Sequence, residues 1–194
     1  MQNVFWFTGK SCSGKTTLIK KLKKILEKDF SNQVIDGNKY IIKLSGRKFR
    51  KKQHDAFIKK VVSLANDFSK QNELVLVAVV TPKQKHRNYA RKMLGNKYHE
   101  IYLQCSDRCL ADRMKNRWLA DRMKNRRVII FRRIFRLVLG LYQFYSLSKI
   151  HPISFETPLS PDLIINTEKE TIDESINNIK NFIYSKNRIH QPSK

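Results

Sequence analysis

Apolar residues in this chain follow two rhythms that alternate from one end to the other. The runs "VFWFT" at 4–8 and "ELVLVAVV" (Glu73–Val80) lack polar alternation, and predict strands covered on both faces, the second of them central. "NQVIDGN" at 32–38, "HEIYLQC" at 99–105 and "PDLIINT" at 161–167 predict three further strands. Between the strands the spacing lengthens to that of a helix. In "TTLIKKLKKILEK" at 16–28, Leu18, Leu22, Ile25 and Leu26 share one face and lysines the other. "HDAFIKKVVSLANDFSK" at 54–70, a stretch around Lys85–Leu94 and a long region from Asp107 have the same period. "TIDESINNIKNFIYS" at 171–185 predicts a last helix, with Thr171 as its cap and Glu174 three residues on, and a frayed tail after Ser185. Strands that alternate with helices imply a mainly parallel sheet with helices on both faces.

One stretch departs from this order. "LADRMKNR" at Leu110–Arg117 recurs at Leu119–Arg126 with only Trp118 between. A nine-residue step is two and a half helical turns, so the copies point to nearly opposite faces. A single duplication reads as a local insertion that lengthens a surface helix or lid, since a repeat architecture needs three or more copies.

The first strand runs into "TGKSCSGKTTL", in which Gly9, four residues and Gly14-Lys15-Thr16 form a complete phosphate-binding loop opening a helix. Glycines let backbone N–H groups close around a phosphate, and the helix N-terminus adds its positive end. The expected nucleotide-binding residues are Gly9, Ser11, Cys12, Ser13, Gly14, Lys15, Thr16 and Thr17, with Lys15 bridging phosphates and Thr16 holding Mg²⁺. The fold expected is therefore an α/β P-loop NTPase fold, three layers around a mainly parallel five-stranded sheet, binding ATP or GTP. A switch GTPase would offer an Asn-Lys-x-Asp motif. "GNKY" occurs at Gly37–Tyr40 and Gly95–Tyr98, and neither copy supplies the Asp. The length suits a small-molecule or nucleotide kinase. Asp36 ends the second strand where such a kinase sets a carboxylate beside the metal and the acceptor hydroxyl; the competing reading is an Asp-Gly turn residue.

Five separated stretches together resemble the adenylylsulfate kinase family. "FWFTGKSCSGKTTL" resembles its opening strand and loop, "VIDGN" (Val34–Asn38) its Leu-Asp-Gly-Asp motif, and "KFRKKQHDAFIKKVVSLANDF" its Phe-Ser-x-x-Asp-Arg stretch. "LVLVAVVTPKQKHR" resembles its strand followed by Ser-Pro-Tyr-Arg, and "FETPLSPDLIINT" (Phe155–Thr167) its Tyr-Glu-x-Pro-x-x-Pro segment with both prolines in register. The resemblance implies an ATP- and Mg²⁺-dependent kinase acting on the ribose 3′-hydroxyl of adenosine 5′-phosphosulfate, and a possible homodimer. It implies Lys15 and Asp36 as catalytic, Thr16 and Asp36 as metal-binding, and Asn38, Phe49, His54 and Phe57 at the substrate positions.

Departures fall on the acceptor side. Asn38 stands for the second carboxylate, Ile41 for an arginine, Gln53-His54 for Asp-Arg and Phe57 for an asparagine. His54 either contacts phosphate when protonated or is a neutral surface residue. Lys59, Lys60 and Arg87 match basic positions of the family. The lid is rebuilt: Gly140-Leu141-Tyr142-Gln143 lacks the family's lysines, and its Phe-Thr-Gly-Ile-Asp loop is missing. Arg113, Arg117, Arg122 and Arg126 are either lid arginines facing the transferred phosphoryl or a solvated helix face. The expected organisation is one kinase domain over 1–185, with the rebuilt lid at about 107–154 and a tail over 186–194.

Charge and cysteine change the picture less. With 40 Lys+Arg against 16 Asp+Glu the formal charge is +24, spread through the chain, which attracts polyanions without naming one. No nucleic-acid recognition module accompanies it, and no nucleic-acid partner is expected. The N-terminus shows no signal-peptide pattern, and Cys12, Cys105 and Cys109 show neither a disulfide framework nor metal-type pairing. A cytoplasmic protein is expected. The arginines from 126 to 136, with Ile, Phe and Leu between them, leave two further readings open: a basic helix docking on an anionic membrane, or an ordinary core or dimer helix. The alternatives to adenylylsulfate kinase are a P-loop kinase for another nucleotide-linked or polar hydroxyl, and a non-catalytic nucleotide-binding protein.

Overall fold

The computed structural model describes residues 2–40, 54–124 (118–124 by backbone alone) and 154–187. Phe49, Ile41, Gln53, the side chain of Arg122, Arg126, the arginine-rich run up to 150 and the Gly140–Gln143 stretch lie outside the described residues.

Five strands, β1 (Asn3–Thr8), β2 (Asn32–Asp36), β3 (Leu74–Ala78), β4 (Tyr98–Gln104) and β5 (Leu163–Asn166), pair in the order β2-β3-β1-β4-β5. Every pairing is parallel. The helices are α1 (Lys15–Leu26), α2 (His54–Ser69), α3 (Gln84–Leu94), α4 (Asp107–Lys124) and α5 (Ile172–Asn187). All six residues of β1 and all five of β3 are buried, as continuous apolar runs require.

Alternation within the strands divides the core in two. Phe5, Phe7, Leu74 and Leu76 pack with Leu18, Ile19 and Leu22 of α1 and with Ile176, Ile179 and Ile183 of α5. Val4, Trp6, Val75 and Val77 pack with Phe57, Ile58 and Val61 of α2 and with Ala90 and Leu94 of α3. The three-layer expectation holds. At the start of α5, Thr171 Oγ1 accepts from Glu174 N (3.2 Å) while Glu174 Oε2 accepts from Thr171 N (2.7 Å), the reciprocal cap expected. The helix runs two residues beyond the expected end at Ser185. Asn187 holds its last turn, donating to Ile183 O (2.7 Å) and accepting from Asn3 Nδ2 (2.8 Å).

A buried ionic clasp fixes where the chain returns to the sheet. Arg87 on α3 donates through Nη1 to Thr81 O and through Nη2 to Glu156 O, both at 2.7 Å, and pairs with Glu100 of β4 at 3.3 Å. Glu100 is 2% exposed, and Arg91 approaches it at 3.5 Å while also pairing with Asp162 at 3.3 Å. Desolvation draws the Glu100 carboxyl upward, and the arginines oppose it. Arg87, which matches a basic family position, is therefore part of the frame. Because removing one member strands a buried charge, Arg87→Met should cost about 3–5 kcal/mol of unfolding free energy in urea titrations. Arg87→Met with Glu100→Gln should recover part of that loss, and an unchanged midpoint in the single variant would refute the assignment.

Candidate active site

The loop between β1 and α1 is shaped by three residues with positive φ. At Gly9 (φ 150°) an added Cβ would lie 2.8 Å from Leu103 O and 2.7 Å from Ser13 Oγ, so only glycine lets the loop pass this close to β4. Cys12 (φ 65°) and Gly14 (φ 98°) are left-handed, and Gly14 caps α1. Such turns direct successive backbone N–H groups toward a common centre, which suits an anion. Lys15 is buried and its Nζ donates to Gly9 O (2.8 Å), Lys10 O (2.6 Å) and Ser13 Oγ (3.2 Å). Burial pulls its ammonium down to about 7, with Cys12 and Asp36 pulling the other way. An anionic phosphate beside it favours the charged form.

At the end of β2, Asp36 Oδ1 accepts from Thr16 Oγ1 (3.4 Å) and from Asn38 N (3.1 Å), and Asn38 Nδ2 lies 3.4 Å from Thr16 Oγ1. Three expected site residues, 20 and 22 positions apart in sequence, thus meet. Residues 37–40 are helical, so Asp36-Gly37 starts a helix instead of making an isolated turn. A Cβ on Gly37 would sit 3.1 Å from Ala78 O, which holds this start tightly against the end of β3.

A cavity of about 560 Å³ opens over the loop. Ser11, Cys12, Gly14, Lys15, Thr16 and Thr17 border it, while Gly9 and Ser13 are not on its wall. Asn38, His54 and Phe57 border it as well, and so do Arg113 and Arg117 of α4. Asp36 is 5% exposed and does not line the cavity; hydrogen bonds join its carboxylate to Thr16 and Asn38, which do. Arg113 donates through Nη1 to Thr167 Oγ1 (3.1 Å) and through Nη2 to Thr167 O, which fixes α4 to the end of β5. The first copy of the tandem repeat therefore supplies its arginines to the cavity.

His54 is not a surface residue. It is 7% exposed, its ring 5.0 Å from that of His86, and His86 Nε2 lies 2.7 Å from Asp55 Oδ1. Burial, and next His86, draw the His54 pKa down to about 4, so the ring is neutral at pH 7. Phe57 is a core residue with an edge on the cavity. Neither position offers a charge to a ligand. Sequence reasoning missed Thr167 as an anchor of the site; it ends the quoted strand segment "PDLIINT".

A parallel sheet whose first strand feeds this loop, and whose second ends on a carboxylate bonded to the loop threonine, defines a P-loop kinase. The chain belongs to the adenylylsulphate kinase family, whose profile matches residues 1–129. Among curated relatives, the adenylyl-sulfate kinase of Halothermothrix orenii is 26% identical over 96% of this chain and 92% of its own length. That of Oceanobacillus iheyensis is 27% identical over 96% and 86%. An APS kinase of Mycobacterium tuberculosis, solved in complex with AMPPNP and APS, superposes with a TM-score of 0.69 at 24% identity, over 93% of this chain and 96% of that one. A gluconokinase of Sinorhizobium meliloti shares the fold at 14% identity, with a TM-score of 0.59 over 95% and 97%. No helix among the described residues is long and apolar enough to cross a membrane.

The His54 shift has a consequence for stability. A histidine whose folded pKa is depressed costs nothing above its unfolded value of about 6.5. Its stabilising neutrality is lost progressively as pH falls from there toward about 4, because the unfolded chain takes the proton first. The denaturant midpoint should fall over that window, and His54→Phe should flatten the decline. An identical pH profile in the variant would show that His54 does not control it.

Proposed function

We propose that the protein transfers the γ-phosphoryl of MgATP to the 3′-hydroxyl of adenosine 5′-phosphosulfate. The observation that carries this reading is the meeting of Thr16, Asp36 and Asn38 beside the Lys15 loop on a cavity large enough for nucleotides. Family membership supports it. A hydroxyl and a carboxylate are hard donors of the kind Mg²⁺ takes, and the left-handed loop with its buried lysine suits a triphosphate. Bound Mg²⁺ would neutralise charge on the phosphate oxygens.

Thr16 would hold the metal, with Asp36 behind it orienting the hydroxyl and supplying negative charge. Lys15 holds the ammonium that meets the transferred group, and the N-terminus of α1 receives the phosphates. Asp36, set behind Thr16 and Asn38, orients the hydroxyl-bearing side of the site through them. Arg113 and Arg117 border the cavity and would meet the negative charge that accumulates during transfer. The chain acts as one domain over 1–185, with the α4 region as the base of its lid.

A second reading concerns the acceptor alone. His54 and Phe57 give that wall a neutral, largely apolar character, which favours a different nucleotide-linked or polar hydroxyl substrate within the same chemistry.

ADP release from MgATP, with and without adenosine 5′-phosphosulfate, decides between the two. Acceptor-dependent release establishes the first reading; binding of ATP without it rules the first out, and release with another hydroxyl acceptor then establishes the second. Lys15→Ala should lower kcat/KM by at least about 10²-fold and weaken ATP binding. Asp36→Asn should lower kcat by about 10²-fold or more with ATP affinity largely kept. Wild-type turnover in the Asp36 variant would contradict its assignment. If the site is a weakened adenylylsulfate site, His54→Arg combined with Phe57→Asn should raise kcat/KM for that acceptor.

A further inference from the structure

Two of the three cysteines converge with a carboxylate outside the cavity. β4 and β5 are neighbours, with Gln104 paired to Asn166, so the chain leaves both strands side by side at Cys105 and at Thr167-Glu168. Cys109 lies in the first turn of α4, which opens at Asp107. One ligand atom from each of Cys105, Cys109 and Glu168 lies within 4.8 Å of the other two. Tetrahedral zinc, with sulfur at about 2.3 Å and oxygen at about 2.0–2.2 Å, separates its ligands by about 3.5–3.8 Å. Small rotamer changes therefore suffice to close the set.

The surroundings hold these groups in place. Ser106 N donates to Glu168 Oε2 at 2.9 Å, orienting the carboxylate, and Cys109 N donates to Ser106 Oγ at 3.2 Å. Burial, and next the hydrogen bond with Cys109, push the Cys105 thiol up to about 11 against the pull of Arg113, so a metal ion has to displace its proton. Two thiolates and a carboxylate carry three negative charges; a divalent ion reduces them to one, opposite Arg113. Both cysteines are half-buried and Glu168 is exposed, which leaves a water position for the fourth ligand.

We propose that Cys105, Cys109 and Glu168 bind one zinc ion, with two thiol protons released on binding. The site would staple the β4–α4 connection to the turn after β5. Both segments border the phosphate loop: Lys10 pairs with Asp107 at 2.5 Å, and a Cβ on Gly14 would lie 3.9 Å from Thr167 Cγ2. Zinc here would therefore steady the base of the lid without touching the transferred phosphate.

The test uses full-length protein, reduced and freed of metal, titrated with Co²⁺ and then Zn²⁺. One cobalt per chain should give thiolate-to-cobalt charge-transfer absorption and the intense visible bands of tetrahedral cobalt, both erased by one equivalent of Zn²⁺. Cobalt at Thr16 and Asp36 has no sulfur ligand and cannot give the charge-transfer band. Cys105→Ser and Cys109→Ser should each abolish that band, Cys12→Ser should keep it, and Glu168→Gln should weaken binding by about tenfold or more. Zinc should raise the Tm of the wild type and leave that of Cys105→Ser unchanged, with circular dichroism confirming that the variant is folded. Absence of the band in the reduced wild type overturns the proposal. So does a band that survives both serine variants, or a Cys105–Cys109 pair that takes up no metal and only oxidises to a disulfide.

Discussion

β1 pairs in parallel with β3 on one side and β4 on the other, and every other feature of the molecule follows from that arrangement. Parallel pairing puts the C-terminal ends of all five strands on one rim, so the residue that follows each strand is delivered to the same place. The phosphate loop follows β1, Asp36 ends β2, Thr81 follows β3, Cys105 follows β4 and Thr167 follows β5. Contact between loop and sheet at Gly9 is close enough to exclude any side chain, and this sets the loop's height over the rim. Sites in open parallel sheets form at such rims because no other edge gathers so many backbone ends.

The chain carries a large positive charge, yet the wall built by His54 and Phe57 carries none. Positive groups on the cavity come from the loop and from α4, through Lys15, Arg113 and Arg117. Among the described residues, the lysines of α1 other than Lys15 lie on its exposed face, away from the cavity. The buried arginine, Arg87, is withdrawn from the site altogether and spent on Glu100 and on backbone carbonyls.

What could be read from the sequence was whatever is encoded locally. The apolar runs of β1 and β3, the face of α1, the loop motif and the Thr171–Glu174 cap each lie within a few residues, and each appears as read. Asp36 and Thr16 were legible as partners because the loop motif fixes one and the strand end the other. Long-range placements were not legible. His54 reads as an ordinary polar residue at a helix start, and only the packing of α2 against α3 buries it beside His86. Glu100 is a lone charge in a strand pattern, and nothing near it in sequence announces Arg87. Cys105 and Cys109 have no metal-type spacing by themselves; Glu168 arrives from a strand that pairs alongside only in the folded sheet.

The clasp at Arg87 also bears on how this lineage can change. It fixes the returning chain at Glu156, and Arg113 fixes the departing helix to Thr167, so both borders of the intervening stretch are anchored to the sheet independently of what lies between. The second "LADRMKNR" begins beyond the Arg113 anchor, and α4 continues through it as far as Lys124. Both anchors close on main-chain carbonyls, those of Thr81 and Glu156 for Arg87 and that of Thr167 for Arg113, so they are insensitive to the side chains their partners carry.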